Sequence, residues 1–190
     1  MKIVVGITGA SGAILGIRTL ETLRTLGVET HLVMSRWARA TVAHETDYTL
    51  EQIESLAAVV HAGENQAAAI SSGSFKTDGM IVAPCSMKTL AAIRTGYSDN
   101  LLCRAADVVL KERRRLVLVA RESPLSEIHL ENMLALTRMG AVIFPPVPAF
   151  YNRPRTMDDV ANHIVGRVLD QFGLESPGMS RWGGAGERLR

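Results

Sequence analysis

The stretch Met1-Lys-Ile-Val-Val-Gly-Ile-Thr-Gly-Ala-Ser-Gly12 limits the fold more than any other part of this 190-residue chain. A β-branched run over Ile3–Thr8 breaks at Gly6, Gly9 and Gly12, and a helical pattern starts at once. Strand, tight turn and helix in that order open a β-α unit. The first-turn N–H groups of such a helix have no acceptor within it, so partial positive charge gathers there. Ser11 adds a hydroxyl where a phosphate oxygen would sit. A phosphorylated cofactor is expected at this turn.

The spacing is G-x-x-G-x-x-G rather than the G-x-G-x-x-G of dinucleotide folds, and a glycine turn alone is a weak signal. It could serve only to let strand and helix pack closely. The end of the next strand offers a check, because an NAD site usually places Asp or Glu there for the ribose hydroxyls. This chain reads His31-Leu-Val-Met-Ser35-Arg36. Ser and Arg suit a phosphate or a flavin better than a diol, which puts an FMN-like mononucleotide ahead of NAD. Arg36 keeps NADP open.

The rest of the chain alternates strand and helix. A helix is predicted from about Gly12 to Leu26, closed by Gly27, then a strand over Glu29–Met34. Helical material fills the forties and fifties, with Thr49-Leu-Glu-Gln52 as a capping box. Met80–Ala83 reads as a short buried strand ending at Pro84, with helices next over Met87–Arg94 and Asn100–Glu112. Leu116–Ala120 is apolar throughout, as a strand covered on both faces should be. Ser123-Pro124 reads as an N-cap and first-turn pair opening a helix to Met139. A strand over Ala141–Phe144 and a helix over Met157–Phe172 complete the series. Repeated β-α units predict a single α/β domain, a doubly wound parallel sheet of flavodoxin-like or Rossmann-like type, over residues 1–175, with a loose C-terminal tail over 176–190. The stretch His61–Gly79, with Ser71-Ser-Gly-Ser74, is the longest irregular one; it is either a mobile surface loop or a lining of the site.

A net charge of +2 gives no case for nucleic-acid binding, and no run is long and apolar enough to span a bilayer. Cys85 and Cys103 lack C-x-x-C spacing and indicate a reducing, cytoplasmic setting. The five histidines show no ligand spacing, so no metal site is expected.

Ligands in such sheets sit beyond the carboxyl ends of the strands. The residues just after each predicted strand are therefore the candidate site: Gly9-Ala10-Ser11, Ser35-Arg36, Pro84-Cys85-Ser86-Met87-Lys88-Thr89, Arg121-Glu122, and Pro145-Pro146 with Ala149-Phe-Tyr151. Hydroxyls, cations, a carboxylate and a phenol gather at one edge, which suits a phosphorylated substrate as well as a phosphorylated cofactor. Plainer readings stand beside these. Arg121 and Glu122 could pair with each other, Cys85 beside a buried strand reads as inert core, and Lys111-Glu-Arg-Arg-Arg115 reads as a helix C-terminus whose cations satisfy carbonyls.

Gly6-Ile-Thr-Gly-Ala-Ser-Gly12, Glu45-Thr46-Asp47, Pro84-Cys85-Ser86, Arg104–Glu112, Leu116–Glu122, His129-Leu-Glu-Asn-Met133 and Pro148-Ala-Phe-Tyr151 together resemble the UbiX/Pad1 flavin prenyltransferases. The resemblance runs from residue 1 to about Trp182 and leans toward the Pad1-like members that accompany phenolic-acid decarboxylases. Two departures are Arg115, where many relatives have Pro, and a short Gly-rich tail after Trp182.

The resemblance implies transfer of the dimethylallyl group from dimethylallyl monophosphate to N5 and C6 of reduced FMN, without a metal. The product, prenylated FMN, would serve a UbiD-type aromatic-acid decarboxylase, and the enzyme would be a homo-oligomer, possibly a dodecamer. By position it places FMN against Gly9, Ala10, Ser11, Ser35, Ser86, Met87, Lys88, Thr89 and Arg121. It places the dimethylallyl phosphate against Arg104, Lys111, Tyr151 and Arg167, with Trp182 near the prenyl group. Ser11, Glu45, Lys111 and Glu122 are the implied catalytic groups. Rival readings are an FMN-dependent cysteine-type decarboxylase, an aromatic-acid decarboxylase in its own right, and a non-catalytic flavin carrier or decarboxylase subunit.

Overall fold

A computed structural model describes residues 1–184. The predicted tail is therefore traced only to Gly184, and residues 185–190 lie outside the described residues.

Six strands form one parallel sheet: β1 (Lys2–Ile7), β2 (Glu29–Met34), β3 (Val59–His61), β4 (Gly79–Cys85), β5 (Arg115–Ala120) and β6 (Val142–Ile143). Their order across the sheet is β3-β2-β1-β4-β5-β6. The expected doubly wound architecture is present, in the Rossmann strand order, with its switch point between β1 and β4. Helices α1 (Ala13–Thr25), α2 (Arg36–Glu45), α3 (Leu50–Ser55) and α7 (Met157–Leu169) cover one face. Helices α4 (Met87–Thr95), α5 (Leu101–Lys111) and α6 (Glu127–Arg138) cover the other. Apolar side chains on both faces explain the unbroken hydrophobic runs of β1, β4 and β5.

Local rules fixed most boundaries. Thr49 caps α3 in a full capping box with Gln52, and Ser35, Ser86 and Asn100 each accept from a backbone N–H three residues on. The predicted helix start at Ser123-Pro124 is corrected. The helix begins at Glu127 because Ser126 accepts from the His129 N–H while His129 Nδ1 accepts from the Ser126 N–H, a reciprocal cap that closes the turn. Strand β4 runs past Pro84 to Cys85, with its register against β5 shifted between Val82 and Cys85. The helix predicted to Phe172 ends at Leu169 and tightens into a 3-10 turn, Asp170–Phe172.

The irregular stretch after β3 is pinned by packing and by hydrogen bonds on the side of α5. Ala68 and Ile70 are buried against α5 and the sheet. Arg104 donates to the Ser71 carbonyl at 3.1 Å, and Arg114 donates to the carbonyls of Gly73 and Phe75 at 2.7 and 2.9 Å. Of the Lys111–Arg115 run expected to satisfy the carbonyls of its own helix, Arg114 alone among the described residues reaches carbonyls, and they belong to the connecting segment.

Candidate active site

The crevice forms where the chain leaves β1 and β4 in opposite directions. Thr8 ties the two exits together: its hydroxyl donates to the Pro84 carbonyl at 2.7 Å and accepts from the Ser86 N–H at 2.9 Å. No motif singled out Thr8, and only its place at a strand end signals it. Gly9 then passes so close to the first turn of α2 that a Cβ there would clash with the Cβ of Trp37. The Thr41 hydroxyl, one turn further along α2, reaches the Gly9 carbonyl at 3.3 Å. Gly12, with φ of 101°, starts α1.

Two backbone donors at the start of α1 already meet a carboxylate of the chain. Glu45 Oε2, at the end of α2, accepts from the N–H groups of Gly12 and Ala13 at 2.8 and 3.1 Å. A carboxylate against a helix N-terminus satisfies both orphan donors and the dipole at once, so that anion position is already filled by the chain itself. Burial alone would push the Glu45 carboxyl up. Hydrogen bonds from the Ser11 hydroxyl and from Gly12 and Ala13, with Arg121 nearby, outweigh it and hold the group below its usual range.

The anion-attracting position lies one element over. Gly9, Ser35, Ser86, Lys88 and Thr89 line a groove of about 390 Å³ into which the N-termini of both α2 and α4 open. Two helix dipoles and an exposed Lys88 make this the most favourable place for a phosphate at the edge. Trp37 and Tyr97, both exposed, form its outer wall. Met87 packs its side chain against the core, so only its backbone belongs to the groove.

A second cavity, of about 340 Å³, is lined by Ser11, two residues along the same turn from Gly9, and by Arg121, Pro146, Pro148 and Met157. Ile164 separates it from a third, of about 460 Å³, lined by Phe144, Val147, Tyr151, Arg167, Arg181 and Trp182. In the third cavity Trp182 meets Tyr151 edge-on with ring centroids 5.6 Å apart. Asp170 accepts from Arg181 at 2.7 and 3.0 Å and from Arg167 at 3.0 Å. The Arg181 pair first, then Arg167, hold the Asp170 carboxyl below its ordinary range despite burial. Two guanidinium groups against one carboxylate leave the cavity net positive. Asp170, Arg181 and His163, which lies within hydrogen-bond distance of Tyr151, escaped the sequence reading. The only signal for His163 and Asp170 is their spacing of four and three residues from Arg167; Arg181, beyond the helical turns, carries none.

Two expected residues stand apart, and a third, Glu122, follows β5 at the crevice edge but lines none of these three cavities. Arg104 pairs with Asp107 at 2.6 Å beside its bond to Ser71. Lys111 pairs with Glu112 at the end of α5. Because α5 returns antiparallel to the strands, its last residue lies at the edge where β5 begins, opposite the crevice. Glu122 is exposed and accepts from the Ser123 N–H at 3.0 Å. Within one chain, then, neither Arg104 nor Lys111 joins Tyr151 and Arg167. Cys85 is fully buried, and burial drives its thiol far up, so it is inert core. Among the described residues no cluster of three or more His, Cys, Asp or Glu could hold a metal, and no helix is long and apolar enough to cross a membrane.

Comparison with known proteins gives a family model, described as Flavoprotein, that matches residues 1–169. A probable UbiX-like flavin prenyltransferase from Bacillus subtilis (strain 168) is 64% identical over 184 residues, covering 97% of this chain and 90% of the relative. A crystal structure of a dodecameric FMN-dependent UbiX-like decarboxylase from Escherichia coli O157:H7 superposes with a TM-score of 0.96 at 63% identity, over 97% of this chain and 100% of that one. AnUbiX (PadA1) in complex with FMN and dimethylallyl pyrophosphate gives 0.95 at 61% identity, over 96% and 97%.

Proposed function

The chain belongs to the flavoprotein family, as one of its UbiX-like flavin prenyltransferases, and on that premise we propose that it joins the dimethylallyl group of dimethylallyl monophosphate to reduced FMN. The ester C–O bond breaks, new bonds to carbon form at flavin N5 and C6, and prenylated FMN and phosphate are released. The observation that carries the reading is an anion groove on one side of the Gly9–Ser11 turn and, beyond Ser11, two cavities that share Ile164, the farther one cationic and aromatic.

In this reading the flavin phosphate takes the groove between Ser35 and Ser86-Met87-Lys88-Thr89. Gly9, Ala10, Ser11 and Arg121 border the ring. Tyr151, Arg167 and Trp182 receive the allylic phosphate. Ionising that ester without a metal requires its leaving oxygens to be met by cations, since each departing oxygen gathers charge. The allyl cation must then be kept from water, and the π face of Trp182 stabilises it. Ser11, Glu45 and Glu122 are the groups to which we assign the proton transfers of ring closure.

Arg104 and Lys111 fit the same chemistry only if a neighbouring copy of the chain brings them to the crevice. The dodecameric relative supports such sharing, and we read this protein as a homo-oligomer, with a dodecamer as the form proposed, whose sites lie between subunits. Its product suits a UbiD-type decarboxylase. Two free, buried thiols favour a cytoplasmic setting.

Anaerobic mixing of reduced FMN, dimethylallyl monophosphate and protein, with mass spectrometry of the flavin afterwards, tests the reading. A mass gain of one C5H8 unit is expected. An unchanged flavin mass would reduce the protein to a carrier, and CO2 released from a phenolic acid or a cysteinyl peptide by the protein alone would replace the activity.

A further inference from the structure

Thr8 is a polar side chain only 1% exposed, set between two strands at the floor of the crevice. The β1–β4 pairing ends at Gly6 and Val82, and Thr8 and Pro84 come next in that register. There the strands part, and the Thr8 side chain takes over from the ladder. Its hydroxyl donates to the Pro84 carbonyl at 2.7 Å and accepts from the Ser86 N–H at 2.9 Å, so it grips the peptide groups on both sides of Cys85. The Thr8 N–H reaches the same Pro84 carbonyl at 3.3 Å, and from β5 the Arg121 N–H holds the Cys85 carbonyl at 3.1 Å. Of these ties only the Thr8 hydroxyl belongs to a side chain.

The start of α4 is what these bonds fix. With its N–H on Thr8, Ser86 accepts from the Thr89 N–H through Oγ at 3.3 Å and from the Leu90 N–H through its carbonyl at 2.9 Å. Its hydroxyl hydrogen goes to Thr89 Oγ1 at 3.1 Å. Ser86 thus has no donor left for an anion. Among the described residues the N–H groups of Met87 and Lys88 meet no acceptor, and neither do those of Arg36 and Trp37 at the start of α2. Those backbone donors remain at the two helix starts that open into the groove, beside Lys88. The direction of the α4 pair depends on how Ser86 is held against β1.

We propose that Thr8 is the positioning residue of the flavin-phosphate groove: acting through Ser86, it aims the Met87 and Lys88 N–H groups at the phosphate. The inference rests on the placement of FMN given above. A valine here has nearly the shape of threonine but neither donates nor accepts. It leaves the Ser86 N–H without an acceptor and the Pro84 carbonyl with its backbone bond alone, so the start of α4 moves to recover a partner. A phosphate held by oriented N–H groups loses affinity with that movement. The flavin ring, bordered by the Gly9–Ser11 turn and Arg121, does not rely on those donors.

The test is a separate titration of FMN and of riboflavin, which has the same ring and no phosphate, into the intact oligomer of wild type, Thr8→Val and Thr8→Ser. Thr8→Val should weaken FMN about 10-fold or more and riboflavin less than about threefold. Thr8→Ser keeps the hydroxyl and should bind FMN within about threefold of wild type. Equal weakening of the two flavins would make Thr8 a packing residue only and overturn the proposal. Wild-type FMN affinity in Thr8→Val, or a Thr8→Ser no better than Thr8→Val, would do the same. Residue-resolved amide hydrogen exchange in the wild type supplies an arm that does not depend on how any variant folds. The Ser86 amide should be protected with and without FMN, and those of Met87 and Lys88 should slow at least about 10-fold when FMN is added. A Ser86 amide that exchanged freely until FMN was added, or Met87 and Lys88 amides that FMN did not slow, would overturn the proposal as well. A wild-type protein that bound FMN but left its mass unchanged after turnover would instead defeat the prenyl-transfer reading and leave the role of Thr8 standing.

Discussion

The crevice between β1 and β4 and the far end of α5 hold comparable chemistry but differ in how they are built. At the crevice Thr8 bonds Pro84 and Ser86, Thr41 reaches Gly9, and Glu45 holds Gly12 and Ala13, all within one chain and across separations of more than 30 residues. At the end of α5, Lys111 and Arg104 are held by nearby carboxylates and by the connecting segment, away from any group they are expected to serve. A pre-assembled flavin half and a dispersed prenyl-phosphate half suit an enzyme whose second substrate site is completed by assembly. The two halves should then fail separately when altered.

The largest effect is expected from Glu122→Gln. An exposed carboxylate whose only bond among the described residues is to the next residue has little structural work to lose, so FMN affinity should stay within about twofold. Loss of a general base typically costs about 10²- to 10⁴-fold, and prenylation measured by single turnover should fall by at least about 10². Full activity would remove Glu122 from the site and leave the Ser11–Glu45 pair as the acceptor.

Lys111→Ala sharpens the contrast most directly. If the α5 end serves a neighbour's site, the dimethylallyl phosphate should bind about 10-fold more weakly, the size of a lost charged hydrogen bond, with FMN affinity nearly intact. Titrating each ligand separately decides it. Equal loss of both would mean that the two phosphate positions are wrongly divided. Mixed oligomers of Lys111→Ala and Glu122→Gln subunits should recover a fraction of activity if the two residues serve one site from different chains, and none if they serve it from the same chain.

Ser86→Ala should act on the pre-assembled half alone. The side chain caps α4 by accepting from Thr89, so its loss should cost about 1 kcal/mol in denaturant unfolding and should weaken FMN more than the prenyl donor. A variant that weakened only the prenyl donor would exchange the roles of the anion groove and the cationic cavity.

The same contrast marks what the sequence could carry. Strand ends, caps and helix faces obey rules read within a few residues, which is why Thr49, Ser35 and Ser86 fall where the pattern puts them. Ser126 defeated the pattern because two serines compete for one helix start, and only the reciprocal bond from His129 decides between them. The three-residue edge strand β3 carries too little periodicity to be seen. Glu45 over the start of α1, His163 behind Tyr151 and Arg181 on Asp170 are tertiary contacts, invisible until the chain folds. Placing Lys111 needs one step more, the packing of one chain against another.

Glu45 offers the smallest effect, and one whose pH dependence identifies its source. Its carboxylate replaces the anion first expected at the Gly12 turn, and an exposed anion at a helix N-terminus contributes about 0.3–1 kcal/mol. Glu45→Gln keeps an oxygen that can accept from Gly12 and Ala13 but removes the charge, so a loss within that range is expected near neutral pH. The folded-state pKa is lowered relative to 4.5, so the unfolded chain binds the proton more readily. The stability contributed by the charge is therefore complete above pH 4.5 and disappears as pH falls through the lower, folded value. Wild type and variant should accordingly differ in urea midpoint at pH 7 and converge as acid is added. A difference unchanged at pH 3 would show that the glutamine has altered packing rather than charge. No difference at pH 7 would mean that the α1 N-terminus gains nothing from the carboxylate, and would return that position to the phosphate it first suggested.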